Sequence, residues 1–172
     1  MKKRIFSLLL CLMMLFAFSA SAQEVRPNVT DLMFTYTDLD LNPYKGKTVL
    51  LNFFTEWCDY FMKEMPDLKA VHDLYDEDKF EVVLVHVWDG EDETNTHNVK
   101  EKYGMQDMVF FEDTDRMVAS VAGLRGYPAT IIAEPDGTLA FAVNSMVTLD
   151  VLTEVLDGMG VPRAQEAADE SV

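Results

Sequence analysis

Cysteine is scarce in this sequence. Its 172 residues include two cysteines, Cys11 and Cys58. Cys11 lies in an N-terminal apolar segment that is expected to be removed, so the mature chain keeps Cys58 alone. No disulfide can then form within the mature chain, which excludes a small fold held together by disulfides. A lone cysteine in an exported protein is unusual, because compartments outside the cytoplasm oxidise free thiols.

Positive charge is also scarce. Lys and Arg number 14 against 30 Asp and Glu, which gives a net charge of −16. Loss of Lys2, Lys3 and Arg4 with the N-terminal segment takes the net charge to about −19. Such a surface repels the phosphates of nucleic acids and anionic lipid head groups, so we expect neither as a partner.

No apolar run in the sequence is long enough to span a membrane comfortably. The longest apolar run, residues 5–18, follows the basic residues 2–4 and precedes the small residues Ser-Ala-Ser-Ala at 19–22. This order is typical of a secretory signal peptide, so residues 1–22 are predicted to be cleaved before Gln23. We therefore expect a periplasmic, cell-envelope or secreted protein, with an uncleaved anchor as the alternative.

Strand and helix patterns alternate through residues 23–160, which are predicted to form one domain. Residues 48–55 and 80–87 are almost continuously apolar, as in strands buried on both faces. Further predicted elements are a hairpin at 32–40, helices at 58–75, 95–103, 113–124 and 148–159, and strands at 108–111, 128–134 and 138–143. This order indicates an α/β fold, a central mixed sheet flanked by helices. Residues 161–172 are predicted to be a disordered acidic tail.

The segment Glu56 to Phe61 reads Glu-Trp-Cys-Asp-Tyr-Phe and has the frame of a dithiol redox site, Trp-Cys-x-x-Cys. Phe61 stands where the second cysteine belongs. A dithiol enzyme uses that second thiol to release its mixed disulfide. Cys58 alone can still attack a disulfide, provided that an external thiol completes the cycle. The helix N-terminus favours its thiolate, whereas the carboxylates of Glu56 and Asp59 oppose it.

Residues 45–58 (Lys-Gly-Lys-Thr-Val-Leu-Leu-Asn-Phe-Phe-Thr-Glu-Trp-Cys) and 64–68 (Glu-Met-Pro-Asp-Leu) resemble the TlpA/ResA branch of the thioredoxin superfamily. Residues 126–130 (Gly-Tyr-Pro-Ala-Thr) and 135–137 (Pro-Asp-Gly) look like the cis-proline loop and β-hairpin of that family. The resemblance runs from about residue 34 to 158 and implies a thioredoxin-like fold for residues 23–160. Members of this branch are exported thiol:disulfide oxidoreductases.

The resemblance also implies roles for particular residues. Cys58 would be the catalytic nucleophile, and Glu64 would modulate its proton. The substrate-binding residues would be Trp57, Phe61, Tyr127 and Pro128, with a cis Tyr127–Pro128 bond facing the thiol. Phe61 has a second interpretation, in which it fills the space left by the missing cysteine.

No cofactor is implied, and no metal site is predicted. A site would need His, Cys or carboxylate ligands at suitable spacing. The three histidines stand far apart in sequence without such spacing: His72, His86 and His97.

Three functions stay open at this point. The first is a monothiol oxidoreductase that acts on protein or small-molecule disulfides through Cys58, with cysteine-containing clients, small thiols and a membrane-bound electron donor as partners. The second is a catalytically inactive, chaperone-like module that binds peptides across the Trp57–Pro128 surface. A minor third is a peroxiredoxin-like thiol peroxidase, suggested by Thr55 three residues before Cys58, although such peroxidases have proline where this chain has Leu51. A monomer is expected.

Overall fold

The computed structural model describes residues 25–55, 58–88 and 96–164, except for the side chains of 96–98. The predicted signal peptide (1–22), Trp57 and residues 165–172 of the predicted tail lie outside the described residues. Among the described residues, no helix is long and apolar enough to cross a membrane.

The described residues contain five strands in one sheet. They are β1 (Thr48–Phe54), β2 (Phe80–Val87), β3 (Val109–Asp113), β4 (Ala129–Ala133) and β5 (Leu139–Val143). Their spatial order is β3-β2-β1-β4-β5, with β1, β2 and β3 parallel and with β4 antiparallel to both β1 and β5. The predicted mixed sheet is therefore confirmed. All seven residues of β1 are buried, as its continuous apolar run predicts.

Helices cover both faces of this sheet. The α-helices of the described residues are α1 (Val29–Tyr36), α2 (Asp59–Leu74), α3 (Thr96–Tyr103), α4 (Met117–Val121) and α5 (Leu149–Gly158). A short 3-10 helix, Asn42–Tyr44, precedes β1. Helix α1 packs against α4, and α2 packs against α5.

The side chains of β1 alternate between two apolar cores. Leu50 and Phe54 belong to the core that includes residues of α2 and α5. Leu51 and Phe53 belong to the core on the opposite face, which includes residues of α1 and α4. Because both faces of β1 are covered, the strand meets solvent only where its ends join loops.

The hairpin predicted at residues 32–40 is wrong, because residues 32–36 continue helix α1. Asn28 caps this helix: its side-chain oxygen accepts the backbone N–H of Asp31 at 2.9 Å. Val29 and Met33, four residues apart, are the buried positions of the helix. The loose apolar alternation in this short segment therefore reflects one buried helical face.

The helix predicted at residues 113–124 is shorter than expected and spans only Met117–Val121. Asp113 ends β3 instead, and its buried carboxylate accepts the N–H groups of Val118 at 3.0 Å and Ala119 at 2.9 Å. These bonds fix the start of α4 several residues after Asp113.

The ordered domain extends slightly beyond residue 160, so the tail predicted from 161 begins too early. Val161 is buried, and the guanidinium of Arg163 donates to the carboxylate of Asp157 at 2.6 Å. Arg163 also forms an isolated β-bridge with Tyr75 at the end of α2.

Candidate functional site

The thiol of Cys58 lies at the carboxyl end of β1, where Cys58 is the N-cap of α2. The Cys58 backbone N–H donates to the carbonyl of Thr55 at 3.2 Å, which closes the turn between strand and helix. The side chain is only 4% exposed, and its Sγ donates to the carbonyl of Tyr127 at 3.5 Å. Cys58 is a free cysteine, covered in this conformation.

The loop that precedes β4 meets this thiol because β4 runs antiparallel to β1. Ala129, the first residue of β4, pairs with Phe53 near the end of β1, which places Pro128 at the same edge of the sheet as Cys58. The peptide bond between Tyr127 and Pro128 is cis. The structure thus brings Cys58 together with the Tyr127–Pro128 loop, as the family resemblance implies.

Phe61 does not lie on a substrate-binding surface, so its predicted role there is wrong. It is fully buried, and its ring stacks on that of Phe54 with centroids 3.8 Å apart and planes 3° from parallel. The ring occupies the core because Phe54 on β1 offers a flat apolar face beneath the first turn of α2. Tyr60, one residue earlier, is 60% exposed and is the aromatic side chain that α2 presents to solvent near Cys58.

Glu64 is fully buried on α2, and its Oε1 accepts the backbone N–H of Val147 at 2.9 Å. Burial raises the pKa of Glu64 from 4.5 to about 7. Hydrogen bonding by Val147 and by the side chain of Asn52 opposes this rise, while the charge of Asp67 adds to it. Oε2 nevertheless has no hydrogen-bond partner of good geometry. Glu64 can therefore gain or lose a proton near neutral pH.

Asn52 lies within the segment that carries the resemblance, but it is not among the predicted site residues. It is fully buried on β1, and its Nδ2 donates to Thr130 Oγ1 on β4 at 3.1 Å. Its Oδ1 has no hydrogen-bond partner. An asparagine within an otherwise apolar strand was the available signal, because a buried amide needs polar partners.

The loop between β5 and α5 also reaches this edge, which the sequence does not predict. Val143 at the end of β5 pairs with Thr130, so the following residues emerge beside the Tyr127–Pro128 loop. Asn144 Oδ1 accepts the backbone N–H of Arg125 at 3.0 Å, and Val147 bonds to Glu64. In each of these contacts the donor is a backbone N–H, which no side-chain pattern marks.

The sequence model that describes the AhpC/TSA family matches residues 22–142, well over half of the chain. This chain belongs to the AhpC/TSA family. It is similar to the thiol-disulfide oxidoreductase ResA of Bacillus subtilis (strain 168), with 29% identity over 119 residues. That match covers 69% of this chain and 65% of the relative, so the chain spans somewhat less than two thirds of that protein's length.

Solved structures of similar proteins confirm the thioredoxin-like fold of this chain. A DsbF homologue from Corynebacterium diphtheriae superposes with a TM-score of 0.61 at 27% identity, covering 70% of this chain and 76% of that one. A secreted Mycobacterium tuberculosis disulfide oxidoreductase homologous to E. coli DsbE gives a TM-score of 0.60 at 22% identity, covering 70% and 87%.

One group of potential metal ligands lies in the described part of this AhpC/TSA chain, away from the thiol. Ligand atoms of His72, Asp73 and Asp107 all lie within 4.8 Å of one another. The ammonium of Lys69 already bonds to Asp73 Oδ2 at 2.7 Å and lies 3.7 Å from Asp107. A metal ion would have to displace that cation, so the group carries no metal assignment.

A buried histidine, His86, pairs with Phe54 at the carboxyl end of β1. His86 on β2 is 4% exposed, and its Nδ1 lies 2.6 Å from Glu112 Oε2. Its ring packs on Phe54 with centroids 5.2 Å apart. His86 therefore extends the Phe61–Phe54 stack towards β3.

Proposed function

We propose that this protein is an exported thiol-disulfide oxidoreductase that works through a single thiol. The proposal depends chiefly on the position of Cys58, alone at the N-cap of α2 and 3.5 Å from the carbonyl of the cis Tyr127–Pro128 loop. Phe61 fills the position of a second thiol. The name of the relative, thiol-disulfide oxidoreductase ResA, supports the class of reaction.

The reaction proceeds by two exchanges. The Cys58 thiolate attacks one sulfur of a client disulfide, a Cys58–client disulfide forms, and the other client sulfur leaves as a thiolate that takes up a proton. An external thiol, deprotonated as it attacks, then releases Cys58 as a thiolate and keeps the client sulfur in a new disulfide. Each exchange breaks one disulfide and forms one, and the external thiol supplies the reducing equivalents.

The client binds at the edge where Cys58 meets Tyr127 and Pro128. An extended peptide there competes with Cys58 for the Tyr127 carbonyl, which frees Sγ for attack. Trp57, adjacent to Cys58 in sequence, is proposed to contact the same client. Suitable partners are cysteine-containing proteins or small thiols outside the cytoplasm, with a membrane-bound donor as one source of electrons.

Glu64 is proposed to exchange the thiol proton. Thiolate formation at Cys58 releases a proton inside a largely covered edge, where solvent access is poor. Glu64 is the buried carboxyl of the helix that Cys58 caps, and its pKa of about 7 suits proton transfer near neutral pH. The proton passes between the Cys58 thiol and the Glu64 carboxyl through a water molecule or after a rearrangement of side chains, without a cofactor.

Trapping the intermediate tests this function. The mature chain, from Gln23 onward, is incubated with a glutathionylated peptide without added thiol, and the products are resolved by mass spectrometry. We expect a stable one-to-one mixed disulfide on Cys58, which added glutathione then releases. Phe61→Cys is the matched variant, because a thiol at that position should release the mixed disulfide internally. A wild-type thiol that reacts only after unfolding would contradict the proposal.

A second candidate is a binding module without redox turnover. The observation in its favour is that Cys58 is only 4% exposed in a site whose second thiol position is packed with an aromatic ring. Cys58→Ser separates the two functions. A binding module keeps its affinity for a reduced peptide in this variant and shows no exchange in the wild type, whereas the oxidoreductase loses all exchange.

A further inference from the structure

The segment that carries the Tyr127 carbonyl is bonded at both ends to other parts of the fold. Residues 125–127 lie between α4 and β4 and belong to no helix or strand. At one end of the segment, the Arg125 backbone N–H donates to Asn144 Oδ1 at 3.0 Å. At the other end, the Tyr127 carbonyl accepts from Cys58 Sγ at 3.5 Å. A side chain from a different loop therefore helps to fix the segment that faces the thiol.

The loop between β5 and α5 is fixed to helix α2 at its far end. The backbone N–H of Val147 donates to Glu64 Oε1 at 2.9 Å. Two residues later, the backbone N–H of Leu149 donates to Asp67 Oδ2 at 3.1 Å. Glu64 is fully buried and Val147 is 4% exposed, so the first of these bonds is shielded from water. The loop thus has a defined position relative to α2, the helix with the thiol at its N-cap.

The near end of the same loop is fixed to the sheet. Val143, the last residue of β5, pairs with Thr130 on β4, and Asn144 is the next residue along the chain. Asn144 therefore lies between the sheet and the bonds to α2, and its side chain reaches across to Arg125. The neighbour of Arg125, Gly126, has no Cβ, and nothing lies within 4 Å of the place where one would be. Packing around Gly126 therefore does little to hold the segment.

The bond to Asn144 has more effect on position than on stability. Asn144 and Arg125 are both exposed, so water can satisfy the same groups when the bond is absent. An exchangeable hydrogen bond of this kind adds little to the free energy of unfolding. Small displacements near a reacting group, by contrast, change binding and rate strongly.

We propose that Asn144 is a positioning residue that holds residues 125–127 so that the Tyr127 carbonyl is in place for Cys58 and for the client. This inference rests on the proposed function, because the client is what competes with Cys58 for that carbonyl. Without the Asn144 side chain, the segment gains freedom on its exposed side. Two opposite changes follow: the thiol is covered less well, and an extended peptide loses an acceptor that was already in place.

Asn144→Ala in the mature chain tests both changes at a temperature well below its melting temperature. The rate of Cys58 alkylation by iodoacetamide should rise about twofold or more, because the covered state is populated less. With saturating glutathione as the external thiol, KM for a glutathionylated peptide should rise about three- to tenfold, the size expected from one hydrogen bond. The value of kcat should stay near wild type. A KM that does not rise, or a thiol that does not become more reactive, would overturn the proposal.

Two further variants separate positioning from a general effect on the loop. Asn144→Asp keeps an oxygen for the Arg125 N–H, so at high ionic strength, which screens the added charge, both measurements should return to wild type. Ser145→Ala is the matched control, because Ser145 is the next exposed residue and its hydroxyl donates to the Met146 carbonyl at 3.4 Å, within the loop. It should leave both measurements unchanged. An Asn144→Asp chain that behaves like Asn144→Ala would also overturn the proposal.

A binding measurement distinguishes failure of this inference from failure of the proposed function. The Kd of the reduced peptide is compared between Cys58→Ser and the double variant Cys58→Ser/Asn144→Ala, neither of which can exchange disulfides. A higher Kd in the double variant, together with a wild type that forms no mixed disulfide, would contradict the oxidoreductase and support the role of Asn144. An unchanged Kd beside normal wild-type turnover would overturn the role of Asn144 and leave the oxidoreductase standing.

Discussion

The two ends of β1 are built differently. At the carboxyl end, where Cys58 follows the strand, buried polar atoms of Asn52, Thr55 and Glu64 lack partners. Near the amino end, the turn between β4 and β5 meets the N-terminal segment through paired groups. Asn28 Nδ2 donates to the carbonyl of Asp136 at 2.9 Å, and Asp136 Oδ1 accepts the N–H of Thr138 at 2.9 Å.

We call the carboxyl end of β1, with Asn52, Thr55, Cys58 and Glu64, the chemical end. The amino end, with Asn28, Asp136 and Thr138, is the structural end. Unpaired polar groups reduce stability, and they are retained where a proton or a sulfur has to move. Paired groups around a turn fix the chain and offer nothing to react. Substitutions at the carboxyl end should therefore change reactivity most, and substitutions at the turn should change stability most.

The largest effect is expected for Cys58→Ser. Disulfide exchange should disappear completely, because serine cannot form a disulfide. The melting temperature should stay close to wild type, since a serine hydroxyl can also donate to the Tyr127 carbonyl. Turnover of a glutathionylated peptide measures disulfide exchange, and a thermal melt measures the melting temperature. Residual exchange would show that the reactive group lies elsewhere.

Phe61→Ala should give the largest loss of stability. Removing a fully buried ring that stacks on Phe54 at 3.8 Å leaves a cavity and costs about 3–5 kcal/mol in the free energy of unfolding. Urea denaturation measures it. Tyr60→Ala is the matched control on the same helix turn, and it should cost far less because that ring is 60% exposed. Equal losses would mean that Phe61 is not a core residue.

Much of this arrangement could be predicted from sequence, for physical reasons that differ between residues. Strands β1 and β2 are continuous apolar runs, which few other structures explain. Cys58 and the Tyr127–Pro128 loop stand in short local motifs. Phe61 could not be placed, because an aromatic ring suits a groove as well as a core, and the flat face of Phe54 decides between them.

Other features depend on contacts between distant segments. Glu64 was recognised by resemblance, but its bond to the Val147 backbone joins residues 83 positions apart and leaves no side-chain signal. Helix α1 was mistaken for a hairpin because loose apolar alternation in a short segment fits either element. The bond from Asn28 Nδ2 to the carbonyl of Asp136, which helps to hold the start of this helix, joins residues 108 positions apart. The sequence pattern of a short segment cannot show such partners.

Glu64→Gln should change how stability depends on pH. The folded-state pKa of about 7 lies above the ordinary value of 4.5, so the folded chain holds this proton more tightly than the unfolded chain. The contribution of Glu64 is therefore fully present below pH 4.5 and is lost as pH rises to about 7. Relative to wild type, Glu64→Gln should gain about 3 kcal/mol in the free energy of unfolding across that window.

Urea denaturation at pH 4.5, 6 and 8 measures this difference, with the exposed Glu154→Gln on α5 as the control that should follow wild type. If the difference in the free energy of unfolding between Glu64→Gln and wild type stays constant over the three pH values, Glu64 does not titrate with a raised pKa. Glu64 would then not belong to the chemical end. Glutamine keeps an oxygen for the Val147 N–H, so loss of that bond does not confuse the result.

Gly137→Ala tests the structural end and should have the smallest effect of the four. Gly137 has φ +86°, and an added Cβ would lie 2.7 Å from both Asn28 Oδ1 and Thr30 Oγ1. Backbone strain together with this clash should lower the free energy of unfolding by about 1–3 kcal/mol. The rate of Cys58 alkylation should stay at the wild-type value.

Gly126→Ala is the matched control near the thiol, because nothing lies within 4 Å of its added Cβ and its φ is not positive. A Gly137→Ala chain that loses thiol reactivity while folded would mean that the two ends of β1 are coupled, and the division between them would fail.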